Sequence, residues 1–255
     1  MLLVLSPAKT LDLEPVPNAP ATRPQFTKET AELARVARKL TRGDLMELMS
    51  ISPKLADLNW QRFREFDAKC AEGGVQAAFA FAGDVYEGLR ARELDLSALE
   101  FAQKHVRILS GLYGLLRPLD CIQPYRLEMG VSLPNKRGAN LYDFWGDRIS
   151  KTLNAEAEGH VDRTLVNLAS HEYFGAVDRR ALKLPLLTCA FKDTKDGETR
   201  VLAFFAKKAR GAMARFVVDE RVDAAEGLKD FRGMGYRYSK SLSSPGEWVF
   251  TRKQP

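Results

Sequence analysis

The chain has 255 residues, 45% of them hydrophobic and 28% charged, which is the composition of a folded globular protein and excludes a disordered one. Lys and Arg outnumber Asp and Glu by 39 to 33, a formal charge of +6; this permits an anionic partner without requiring one. No apolar run approaches the roughly 20 residues of a membrane span, so no membrane partner is expected, and the cysteines Cys70, Cys121 and Cys189 are scattered, with no C-x-x-C pair, which fits a reduced, cytoplasmic setting.

The start, MLLVLSPAKT, has no basic segment ahead of its short apolar run and reads as a strand, not a signal peptide. The Pro-rich piece Glu14 to Pro24 should then run extended over the surface. TKETAELARVARKL is a helix on Ala31, Leu33, Ala34, Ala37 and Leu40. Next comes LMELMSISPKLADLNWQRF, two helical patterns interrupted at Ser50 to Pro53, with Ser52 placed to cap the second helix and Pro53 at its first position. This hairpin spans 44–70. VQAAFAFAG reads as a buried strand or short helix, DVYEGLRAR as a helix opened by a capping Asp84, and SALEFAQKH as a helix leading into VRILS.

Three segments share one shape: LLVLS ends at Ser6, VRILS at Ser110 and TLVNLAS at Ser170. Continuous apolar runs of this kind are strands buried on both faces. With helical patterns between them, they imply a mixed sheet covered by helices, and ligands of such sheets gather outside the carboxyl ends of the strands. LPLLTCAF and TRVLAFFA read as further strands, KKARGAMARFVVDE as a helix and EWVFTR as the last strand. No repeat and no linker divides the chain, so the fold class is α/β, one compact domain over 1–255.

The residues with chemistry follow the strand ends. SPAKT offers Ser6, Lys9 and Thr10 where a phosphate or carboxylate would sit, although it has none of the glycines of a Walker loop. The loop GLYGLLRPLDCIQPYRLEMG supplies Tyr113, Arg117, Asp120, Arg126 and Glu128; its arginines could fork onto phosphate or could serve an internal ion-pair network. NLASHEYFG supplies Ser170 and Glu172, but no nucleophile elbow. FAKKARGAMARF puts Lys207, Lys208 and Arg210 on a helix, and Gly211 in mid-helix points to close packing or close ligand approach. Here the histidines are scattered and no ligand-spaced cluster exists, so neither metal nor cofactor is expected.

The hairpin also compares with the helix-hairpin-helix motif, whose glycines let a backbone phosphate reach the N–H groups of the second helix. Leu48, Met49, Ile51, Lys54 and Ala56 fit that pattern, while Ser50 and Ser52 stand where the motif has glycines.

LSPAKTL, AGDVYEGL, RILSGLYGLLRPLDCIQPYRLEMG, LYDFWGD, NLASHEY and KKARGAMARF together resemble the YaaA family of bacterial peroxide-stress-resistance proteins, from Leu5 to Arg252. That resemblance implies one mixed α/β domain with a positively charged cleft. It also implies a role in surviving hydrogen peroxide, a link to lowered free intracellular iron, and binding of duplex or branched DNA through a helix-hairpin-helix; it implies no catalytic mechanism. The expectation is therefore a cytoplasmic protein that binds DNA non-specifically through Ser50, Ser52, Lys54, Lys207, Lys208 and Arg210. The alternative is an enzyme acting on a phosphorylated or nucleotide-like, hence anionic, small molecule in a basic cleft.

Overall fold

The computed structural model describes residues 1–68, 70 and 74–253. Its centre is an eight-stranded mixed sheet made of β1 (Leu2–Leu5), β2 (Val106–Ser110), β3 (Gly114–Leu116), β4 (Leu165–Asn167), β5 (Leu186–Lys195), β6 (Glu198–Arg200), β7 (Arg237–Tyr238) and β8 (Glu247–Lys253). The spatial order is β7-β8-β5-β4-β1-β2-β3, with β6 paired to β5. The five strands from β8 to β2 are parallel to their neighbours, with Leu3 opposite both Val106 and Val166; β3, β6 and β7 are the antiparallel additions.

Burial explains the strand sequences. Every residue of β1, β2 and β4 is buried, as largely apolar runs demand; the polar members Arg107, Ser110 and Asn167 are bonded internally, to Glu156, Tyr125 and the Ala169 N–H. Strand β5 alternates instead, with Leu187, Cys189, Phe191 and Asp193 turned inward, so one of its faces is covered more fully.

The helices are α1 (Thr27–Ala37), α2 (Arg42–Met49), α3 (Pro53–Glu65), α4 (Asp84–Leu89), α5 (Leu96–His105), α6 (Leu141–Trp145), α7 (Arg148–Glu156) and α8 (Ala203–Asp219). Between α3 and α4, VQAAFAFA becomes a strand pair of residues, one helical turn and a second strand pair. Helix α8 packs on α4 with the backbones in near contact: a Cβ on Gly211 would lie 1.7 Å from the Val85 carbonyl oxygen, and one on Gly88 2.2 Å from that of Lys208. Gly211 is thus in mid-helix because two helices cross there.

Three expectations change. TRVLAFFA is not one strand: β6 ends at Arg200 and α8 begins at Ala203. Ala206, Ala209, Met213 and Val217 are buried at helical spacing, so the longer amphipathic pattern overrides the short apolar run. Asp84 does not cap α4; Gly83 holds that position at φ 144°, with no side-chain cap. Cys70 and Cys121, finally, are joined as a disulfide with their Cα atoms 6.2 Å apart. They are 51 residues apart in sequence but meet because Val75–Gln76 pairs with Cys121–Ile122, a contact that cysteine spacing cannot reveal. Cys189 is free and buried. Among the described residues, no helix is long and apolar enough to cross a membrane.

Candidate functional site

Because β1, β2 and β4 are parallel neighbours, Ser6, Ser110 and Ser170 fall at one edge of the sheet. Their hydroxyls are already engaged. Ser6 Oγ accepts from the Ser170 N–H at 2.8 Å and donates to Ser170 Oγ at 3.2 Å. Ser170 Oγ in turn caps the turn His171–Phe174, accepting from Tyr173 N. Ser110 Oγ accepts from the Tyr113 N–H and shares a 2.6 Å bond with the Tyr125 hydroxyl. These serines splice strand ends to the loops that follow; none is left as a free nucleophile.

The loops so anchored enclose a cleft of about 870 Å³. Lys9 reaches Glu128 at 2.7 Å, and Arg126 holds the other oxygen of the same carboxylate at 3.0 Å. Glu172 faces them, accepting the Gly130 N–H at 3.0 Å. Lys9 is 62% exposed at its side chain, against 16% for Arg126 and 17% for Glu128. The lysine is therefore the movable member and the Arg126–Glu128 pair the fixed one.

The opposite wall is the hairpin. Asp44, Glu47, Leu48, Met49 and Ser50 line the same cleft, facing Val131, Leu133 and Pro134. Sequence reading treated hairpin and cleft as separate features and missed Asp44 and Glu47. No local signal marks them as lining: Asp44 reads as the N3 residue of a capping box with Thr41, which it is. Those Thr41 bonds hold the Asp44 carboxyl below its ordinary range.

Counting side chains on the wall gives two cations, Lys9 and Arg126, against four carboxylates, Asp44, Glu47, Glu128 and Glu172. The cleft lining is thus not basic. The cations expected there are elsewhere. Arg117 and Asp120 lie at the other end of the sheet, because β3 runs back antiparallel to β2 and delivers Arg117 beyond Leu116, opposite Ile108. Asp120 is fully buried; it accepts from the Arg117 backbone and guanidinium and, at 2.6 Å, from the Thr22 hydroxyl. This is the internal network, not a ligand contact. Tyr113 is fully buried, its hydroxyl accepting from Gln123 N. Thr10 is exposed in a two-residue strand opposite Ala82. Lys208 pairs with Glu87 at 3.1 Å in a different cavity, of about 490 Å³. Lys207 is exposed. Arg210 is half-buried, desolvation lowers its guanidinium pKa, and its buried Nε has no hydrogen-bond partner among the described residues.

At the hairpin tip the structure gives detail that the sequence left open. Ser50 closes α2 at φ 49°, ψ 52°, the left-handed conformation that glycine adopts freely. Ser52 caps α3, accepting from Leu55 N, and Pro53 occupies the first helical position. Ser50, Ser52, Pro53 and Lys54 are all exposed. On α3, Trp60 is flanked by the guanidinium carbons of Arg42 at 3.8 Å and Arg64 at 4.5 Å from its ring centre. Among the described residues, no group of three or more His, Cys, Asp or Glu side chains is arranged to hold a metal ion.

The family model described as peroxide stress protein YaaA matches residues 1–242. The UPF0246 protein of Phenylobacterium zucineum is 62% identical over 256 residues, covering 100% of this chain and 96% of the relative. That of Caulobacter vibrioides is also 62% identical and covers 100% of both chains, and that of Cellvibrio japonicus is 51% identical over 257 residues, again with 100% coverage of both. With a family match over nearly its whole length and relatives aligned end to end, the chain belongs to the peroxide stress protein YaaA family.

Proposed function

We propose that this protein serves peroxide defence by binding DNA without sequence preference, with the helical hairpin as its contact to the phosphate backbone. The observation that carries this reading is the conformation of Ser50. A serine there departs from the glycine of DNA-binding hairpins, yet its backbone takes the left-handed turn that glycine would supply. The start of α3 is consequently exposed. The end of a helix where N–H groups lack partners favours an anion; here Pro53 has no N–H and Ser52 takes that of Leu55, which leaves the Lys54 N–H for a phosphate. The Lys54 side chain adds an exposed positive charge beside it. Lys54 and Arg64 form no ion pair among the described residues, unlike Arg42, which is held by Asp57. The contact is on the outside of the hairpin, away from the four carboxylates that line the cleft behind it.

Gel shifts on a mixed-sequence duplex at two salt concentrations test the reading. Binding should weaken steeply with salt, and Lys54→Ala should weaken it on all sequences alike while lowering the salt slope by about one. Binding by Lys54→Ala that equals wild type at both concentrations removes the hairpin from the interface.

A second reading, an enzyme on a small molecule, is favoured by the cleft itself. Its volume falls in the range of small-ligand sites, and its wall mixes apolar and polar groups as such sites do. An anionic group would enter by exchanging places with Glu128 at Lys9 and Arg126. Calorimetry with mononucleotides on wild type and Arg126→Ala tests it; equal heats in both exclude that cleft.

A further inference from the structure

We propose that Cys70 and Cys121 form a dithiol that reacts with small hydroperoxides, cycling between two thiols and the disulfide, and that this reaction is independent of any DNA binding. Four observations carry the proposal. The Cα separation of 6.2 Å lies inside the span that a disulfide bridges without moving the backbone, so the reduced pair is already in place to close. Room has been kept for the sulfurs: a Cβ on Gly74 would lie 1.9 Å from Cys70 Sγ and 2.4 Å from Cys121 Sγ. Only a residue with no side chain fits beside this pair.

Access separates the pair from the third cysteine. Cys70 and Cys121 are both partly exposed. Cys189 is 2% exposed, with its thiol pushed up to about 12 by burial. A buried, protonated thiol is inert, whereas reaction with peroxide needs a reachable thiolate. Cys189 is therefore an internal control.

The two cysteines also differ in how they are held. Cys121 is fixed in a strand, with its N–H on the Thr22 carbonyl at 2.8 Å and Gln76 as its partner across the pair. Cys70 sits at φ 50°, a left-handed conformation that is strained for a non-glycine residue. A sulfur on such a turn, facing one on a rigid strand, suits a bond that is made and broken.

The chemistry balances with a hydroperoxide as the only co-reactant. One thiol gives up its proton, and its sulfur attacks a peroxide oxygen. The O–O bond breaks, an S–O bond forms and hydroxide leaves to become water. The second thiol's sulfur then attacks the sulfenic sulfur. The S–S bond forms, the S–O bond breaks and a second water departs with the remaining proton. Two electrons pass from the sulfurs to the peroxide, and an external thiol reductant returns them.

The pair is also wired to the rest of the molecule. Gln123, two residues beyond Cys121, donates its N–H to the Tyr113 hydroxyl at 2.9 Å and accepts from Asp67 N at 2.6 Å. Tyr113 packs against Phe66, just after α3, and against Tyr125, whose hydroxyl meets Ser110 at the cleft edge of β2.

The test uses the full-length protein, reduced, freed of reductant under argon and treated with an equivalent of hydrogen peroxide. Thiol titration under denaturing conditions should fall from three thiols to one, intact mass should drop by two hydrogens, and peptide mapping should join Cys70 to Cys121 and leave Cys189 free. Dithiothreitol on the folded protein should restore all three. In Cys70→Ser and Cys121→Ser the remaining partner should stop at a sulfenic acid that dimedone traps, and the faster of the two identifies the attacking thiol. Three thiols surviving peroxide, loss of Cys189 instead, or a disulfide that folded protein never yields to dithiothreitol would each overturn the proposal.

Discussion

The two ends of the central sheet carry similar residues and use them differently. At the carboxyl edge of the parallel strands, charges line an open cleft of about 870 Å³, and its most exposed cation, Lys9, is free to exchange partners. At the opposite edge, a cavity of about 750 Å³ is bordered by Lys104, Arg107, Arg117 and Arg221, and by His105 and His160. There Arg107, 5% exposed at its side chain, is bound to Glu156 at 2.6 Å, and the buried Met1 ammonium donates to the Asp223 carbonyl. More cations border the second cavity than the first, yet its arginines are committed to internal partners: Arg107 to Glu156, Arg117 to Asp120, and Arg221 to the Val218 carbonyl and the Ser97 hydroxyl. Cation count therefore does not locate a site. What separates the two ends is whether each charge keeps an exchangeable partner or a buried one.

The largest effect expected from this contrast is on stability. Asp120→Ala should cost about 3–5 kcal/mol, because it leaves the Arg117 guanidinium and the Thr22 hydroxyl without their buried partner. Glu128→Ala, which removes a more exposed pair at the cleft, should cost about 1 kcal/mol or less. Urea unfolding of the two variants measures both. Equal costs would mean that the cleft charges are as structural as those at the far end.

An intermediate effect is expected from pH. His105 is lowered from 6.5 to about 4, chiefly by burial, although its Nδ1–H bond to the Met1 carbonyl pulls the other way. His160, which accepts from the Met1 ammonium, is lowered by burial and then by that charge. A histidine whose pKa is lower folded than unfolded stabilises the fold fully above about pH 6.5, and that contribution is lost as pH falls toward 4. Stability should therefore decline across that window, and His105→Gln, which keeps a donor for the Met1 carbonyl, should flatten the decline. An unchanged slope in the variant would place the acid sensitivity elsewhere.

Why these ends are hard to tell apart in sequence follows from particular residues. The sheet was legible because the segments holding β1, β2 and β4 are short, mostly apolar and close on Ser6, Ser110 and Ser170, a pattern that fits burial on both faces even with Arg107 inside β2. The hairpin was legible because Ser52 and Pro53 are local signals for a helix start. The partition of charges was not. Arg117 and Arg126 are nine residues apart in one loop, and only the reversal at β3 sends them to opposite edges. Asp44 and Glu47 join the cleft because α2 folds against the loop 126–134, a tertiary contact with no periodic trace. The disulfide likewise depends on two strands of two residues each. Local chemistry is written in neighbouring residues, whereas partners are chosen by topology.

The smallest effect sharpens the comparison within the hairpin wall, where two serines two residues apart have opposite roles. Ser52 is extended, at φ −66°, and its side chain caps α3. Ser52→Ala should cost about 1 kcal/mol through loss of that cap. Ser50 is left-handed, at φ 49°. Ser50→Gly should relieve a strain of about 1 kcal/mol or more, offset by the larger backbone entropy that glycine loses on folding, for a net gain of about 0.5 kcal/mol. Chemical denaturation resolves both signs. If Ser50→Gly proves as destabilising as Ser52→Ala, the left-handed turn is not strained, and Ser50 contributes through its side chain at the cleft wall instead. In that case the same variant should change any mononucleotide binding in the cleft while leaving the α3 start, and so the salt dependence of the proposed DNA contact, as it was.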